Sequence, residues 1–166
     1  EFNSPHRGVV QFSLKNTDFK HLVSTGKDCW NLRSPFRLGN GENIGSHMTF
    51  VRLASSGRFL AIGAVELNAE AKEEVDRLTQ GGNLLEAVIA SHPFHTKGFQ
   101  KFFEEYSPSS PGRTSEIQWI STPRHVKRLP QIPFAGDVSD PSILRRWETD
   151  GVFIRIPDGT AFVDPT

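Results

Sequence analysis

Apolar and polar positions divide the chain into a strand-and-helix alternation centred on residues 84–106. Leu84-Leu85-Glu86-Ala87-Val88-Ile89-Ala90 is a nearly continuous apolar run, long enough for one buried strand and too short for a sealed helix. Behind it, Phe99, Phe102, Phe103 and Tyr106 fall at the i, i+3, i+4, i+7 spacing of an amphipathic helix. Upstream, Met48–Leu53 alternates with period two, and Ser55-Ser56-Gly57 turns it into the run Phe59–Val65, which predicts a β-hairpin. Asn68 is a fair N-cap for a helix from Ala69 to about Gln80, with Ala71, Val75 and Leu78 as its apolar stripe and Gly81-Gly82 as its stop. Glu116–Ile120 predicts a third strand, Phe36-Arg37-Leu38 a short one and Gly151–Ile156 a last one. The stretch from His125 to Val138 reads as irregular, and Asp140-Pro141 opens a short helix to about Trp147.

This order predicts an α/β protein: a mixed sheet with an N-terminal β-hairpin followed by βαβαβ. Residues 1–29 read as a loosely organised lead-in with one edge strand at Val9–Leu14, and residues 30–166 as the domain. Right-handed crossovers make the runs at 59–65, 84–90 and 116–120 parallel neighbours. Their carboxyl ends, at Glu66, His92 and Ser121–His125, then converge on one sheet edge, where open α/β sheets present their chemistry.

Composition narrows the classes of function. A chain of 166 residues with 36% hydrophobic and 23% charged content suits one folded domain. Its 19 basic and 19 acidic residues cancel, so nothing draws it generally to nucleic acid or to an anionic membrane. Cys29 is the single cysteine, which excludes an intrachain disulfide and a cysteine-cluster metal site. No apolar run approaches the roughly 20 residues that cross a bilayer, and no signal-peptide pattern opens the chain. The expected location is intracellular, in the cytoplasm or an organelle. Gly45-Ser46-His47-Met48 resembles a tag-cleavage scar but leads smoothly into a strand-like run; we read the match as coincidence, with a fusion junction as the alternative.

Two constellations carry candidate chemistry. His92 and His95 stand three apart in the turn between the predicted strand and helix, and if residues 95 onward begin the helix, both imidazoles can point across the strand ends toward His125. Three neutral imidazoles suit zinc or a similar divalent metal. The plainer alternative is that His92 caps the helix and His95 hydrogen-bonds within the turn. His6, His21 and His47 lack such a pattern. Arg124, Lys127 and Arg128 form the concentrated basic stretch, able to hold a phosphate or carboxylate or simply to stay solvated. No Gly-rich phosphate cradle and no G-x-S-x-G elbow is present.

The hairpin, the βα unit and then Ala87-Val88-Ile89-Ala90-Ser91-His92-Pro93-Phe94-His95 with its helix resemble the first half of the metallo-β-lactamase fold. The resemblance covers roughly residues 30–166 and is closest to a divergent metallo-hydrolase-like branch, through its SHPFHT and STPRH segments. It implies metal-assisted hydrolysis by one or two zinc ions held at an H-x-H-x-D-H turn. This sequence departs from that pattern: counted from His92, Phe94 replaces the second histidine, Thr96 the aspartate and Lys97 the last histidine. The family's second βα half is absent, so the chain reads as a fragment or a shortened relative. The expectation is therefore a metallo-hydrolase-like protein, degenerate in its ligands, acting on a small molecule of unknown class. The alternative is a non-catalytic binding or structural domain that keeps the fold. The expected cofactor is zinc, another divalent metal or none, and the expected partner is a second copy or the missing C-terminal half.

Overall fold

The structure, a computed structural model, describes residues 21–37, 39–110, 112 and 114–155. Seven strands form one mixed sheet whose spatial order follows chain order. β1 (Leu22–Gly26), β2 (Cys29–Ser34), β3 (Ser46–Arg52) and β4 (Phe59–Ile62) are antiparallel neighbours. From β4 onward, β5 (Leu85–Ile89), β6 (Gln118–Ser121) and β7 (Phe134–Asp137) pair in parallel. Helix α1 (Ala69–Thr79) links β4 to β5, α2 (Thr96–Tyr106) links β5 to β6, and α3 (Pro123–Arg128) links β6 to β7. Helix α4 (Pro141–Arg145) and a 3-10 turn at Glu148–Asp150 follow.

The apolar pattern explains why the two halves of the sheet differ. In the parallel half both faces are covered, so the strands read as continuous apolar runs. Phe59, Ala61, Val88, Ala90 and Trp119 pack toward α1 and α2, while Leu60, Ala87, Ile89 and Ile120 pack with Ile143 and Trp147. In β3 only Met48 and Phe50 enter the first core, and the opposite face, with His47, Thr49 and Val51, is left half-buried or exposed. There the Asn31 amide donates to Thr49 Oγ1 at 3.1 Å and pairs with His47 Nδ1 at 3.0 Å. One buried face produces the strict alternation seen in the sequence.

Aromatic rings fill the first core. Trp119 takes Phe99, Phe102 and Phe103 edge-on at 5.8, 6.5 and 5.0 Å, pairs worth roughly 0.5–1.5 kcal/mol each beyond their area. Asn68 caps α1 by accepting the Ala71 amide at 2.9 Å. The Tyr106 hydroxyl at the end of α2 donates to Asp76 at 2.8 Å and ties the two helices together.

The sequence reading needs correction at five places. Residues 22–26 and 29–34 are sheet strands, so the ordered sheet begins inside the stretch read as a lead-in. Phe36 and Arg37 are not in a strand; Arg37 makes one isolated bridge to Asn43 across the turn. The stretch after Ser121 is not irregular throughout, because Thr122-Pro123 starts α3 and Phe134–Asp137 adds β7. Helix α4 stops at Arg145, two residues short of the predicted end at Trp147. Residues 151–155 form no strand. Their alternation is real, since Val152 and Ile154 pack onto the second core while Phe153 stays exposed, yet no strand among the described residues pairs with them. Val9–Leu14, Leu38 and Ile156 lie outside the described residues.

Candidate functional site

The parallel strands end along one edge, and their exits carry the candidate groups. Ser91–His95 leave β5, Thr122–His125 leave β6, and Asp137 closes β7. His92 is exposed and its Nδ1 accepts the Phe94 amide at 3.2 Å, which folds the turn around Pro93. His95 takes the N-cap position of α2 without a side-chain cap bond. Its Nδ1 pairs instead with Ser46 Oγ at 3.3 Å, and its ring lies 4.9 Å from His92 and 5.3 Å from Phe36.

His125 is the buried member, with no exposed surface. Its Nδ1 pairs with Thr122 Oγ1 at 2.8 Å, Phe99 meets its ring edge-on at 5.0 Å, and its Nε2 has no hydrogen-bond partner among the described residues. Burial pushes the His125 pKa down to about 4, helped by electrostatic repulsion from His95, Arg124 and His92 and opposed by Asp137. Burial, and then His92, also hold His95 below the ordinary imidazole range. The turn and α3 thus present two imidazoles in contact and a third, neutral one that feels both of them.

A hydrolytic zinc centre takes three protein ligands and leaves one position open. Among the described residues, no three His, Cys, Asp or Glu side chains are grouped so that they could hold a metal ion. The His92 hydrogen bond gives a chemical reason. With Nδ1 engaged by the Phe94 amide, a metal could take His92 only at Nε2 and at the cost of that bond. Residues 92, 95 and 125 share one edge, but this donor set does not fit a metal-loaded centre.

Beside His95 lies a cavity of about 820 Å³, walled by Leu32–Arg37 at the end of β2, Ala64–Asn68 ahead of α1 and the first turn of α2. Gly98 makes the close approach of α2 possible, because a Cβ there would stand 3.0 Å from the Ala64 carbonyl oxygen and 3.2 Å from Val65 Cα. Three permanent cations, Arg33, Arg37 and Lys97, line this space. The basic stretch picked out from sequence lies elsewhere. Arg124 sits over the Phe94 ring at 4.9 Å, Lys127 and Arg128 are exposed on α3, and none of the three lines the cavity. Sequence reasoning passed over the cavity cations because they are scattered through a turn and a helix start. The only local signal was Lys97 in a first turn that lacks an acid.

No protein-family model matches the chain, and no curated protein matches it. Among solved structures, the DIM-1 metallo-β-lactamase exposed to ceftazidime is similar over 71% of this chain and 51% of its own, with TM-score 0.50 and 13% identity. A metallo-β-lactamase from Hirschia baltica aligns over 71% and 51%, with TM-score 0.48 and 11% identity. FIM-1 from Pseudomonas aeruginosa in its mono-zinc form aligns over 71% and 50%, with TM-score 0.46 and 10% identity. The chain spans about half the length of these structures, and at such identities the likeness is one of fold. Among the described residues, its seven-stranded α/β sheet is similar in fold to about half of the DIM-1 metallo-β-lactamase chain.

Proposed function

We propose that this chain is a degenerate metallo-hydrolase-like domain that binds a small molecule at the sheet edge without hydrolysing it through a metal of its own. The observation that carries this reading is the Phe94 amide bond to His92 Nδ1. His92 is the one residue that matches the family's metal-binding turn, and a metal at its Nε2 would have to displace this bond. Thr96 and Lys97, at the hallmark's aspartate and last-histidine positions, point the same way, since an ammonium repels a cation that a carboxylate would hold.

Metal analysis of protein purified without an affinity tag tests the reading. The expected result is zinc, iron and manganese each well below one ion per chain, with a melting temperature that chelation leaves unchanged. Stoichiometric metal whose removal lowers the melting temperature overturns it and favours the second reading, metal-assisted hydrolysis. One observation supports that second reading: His125 Nε2 is buried and unpartnered while Thr122 fixes Nδ1, the pose in which a ligating imidazole is held.

A further inference from the structure

The cavity beside His95 has a chemistry of its own. Its volume of about 820 Å³ falls in the range of small-molecule sites. The walls are mostly apolar, from Leu32, Pro35, Val65 and Leu67 to two aromatic rings, Phe36 and Phe94. Those two rings are 36% and 53% exposed, so water now covers surface that an apolar ligand would cover better.

Against this apolar lining stand Arg33, Arg37 and Lys97, with Glu66 the one carboxylate among the lining residues. Glu66 also lies close enough to Lys101 to raise its pKa, so its charge is shared with a cation outside the cavity. His95 adds no negative charge. The Arg33 side chain lies over Gly45, and one terminal nitrogen donates to the Ile44 carbonyl at 3.4 Å. Arg37 spends one donor on the Gly41 carbonyl at 3.2 Å and keeps the rest of its fork. Lys97 sits in the first turn of the 11-residue α2, where the helix dipole adds to its charge and no acid offsets it. Excess positive charge in an apolar cavity selects one kind of occupant.

We propose that this cavity binds a small amphipathic organic anion, a carboxylate or phosphate monoester carried on an apolar body. The proposal rests on the reading of the chain as a binding domain and names the class of its ligand. Calorimetric titration of the full chain, after chelation and gel filtration, with octanoate, octyl phosphate, octanol and octylammonium tests it. Octanoate or octyl phosphate should bind one per chain at least tenfold more tightly than octanol or octylammonium. The tighter of the two anions names the head group. Both test side chains are exposed, so Arg37→Gln and Lys97→Gln should fold normally, each weakening the anion about three- to tenfold and leaving octanol unchanged. Equal binding of all four compounds, or anion affinity unchanged in the double variant, overturns the proposal. No anion binding by metal-free protein sinks the anion site alone and leaves the metal-free reading standing. Anion binding that appears only with added zinc overturns both.

Discussion

His125 shows how one buried ring sets the acid limit of the molecule. Folded, it stays neutral down to about pH 4, because its ring has no exposed surface and the neighbouring His95, Arg124 and His92 disfavour a further charge. Unfolded, it takes a proton near pH 6.5, the ordinary imidazole value. Between these values the unfolded chain binds more protons, so stability present at neutral pH is lost as pH falls from about 6.5 toward 4. Two and a half pH units at 1.36 kcal/mol each put this at about 3 kcal/mol. Urea unfolding at pH 7 and pH 4.5 should show most of that loss, and His125→Phe should flatten it. An acid limb of equal depth in the variant would assign the loss to other groups. The sequence could place residues 92, 95 and 125 along one rim, because strand ends and residue spacing are local properties. It could not reveal the Phe94 amide bond to His92 Nδ1, since that depends on how the turn closes around Pro93. The meeting of Arg33, Arg37 and Lys97 was equally hidden, because it depends on how close two glycines let separate segments come.

At the scale of elements, α2 is the piece whose position makes the cavity. Its apolar face fixes it against Trp119, and Gly98 fixes how near its first turn comes to the segment leaving β4. In an open helix Gly→Ala gains roughly 1 kcal/mol of propensity. Here the new methyl meets backbone atoms at 3.0 and 3.2 Å that cannot rotate away, and overpacking of this kind costs about 1–3 kcal/mol. Gly98→Ala should therefore destabilise the protein in denaturant unfolding, and it should also weaken octanoate binding by narrowing the site. A stabilised variant would show that α2 has room to move. The long elements α1, β5 and α2 were legible because each holds a full period of its pattern. Helix α3 with six residues and β7 with four are too short to show a period, and Gly136 breaks what pattern β7 has. Residues 151–155 misled for the opposite reason, since packing on a core produces alternation without any ladder.

Across the whole molecule, β4, β5 and β6 belong to both cores at once, so neither core is independent. The second core is closed by α4 and the segment after it, and Trp147 is the anchor: it is 2% exposed, and its indole N–H donates to Glu86 Oε1 at 2.6 Å. Arg146 donates to Gln118 from the same segment, so the cover is tied to two neighbouring strands. Trp147→Phe keeps most of the apolar contact and removes the donor, leaving a half-buried carboxylate without it, which costs about 1–3 kcal/mol. Because the strands are shared, that loss should lower one cooperative transition. In the unsubstituted chain, where Trp147 reports on the cover, tryptophan fluorescence and far-ultraviolet circular dichroism should move together, and Trp147→Phe should lower the circular dichroism midpoint with an unchanged denaturant slope. A separate early transition seen by fluorescence would mean that the cover detaches from a sheet that is stable without it. In that case the face formed by Leu60, Ala87, Ile89 and Ile120 would have to be treated as a surface in its own right.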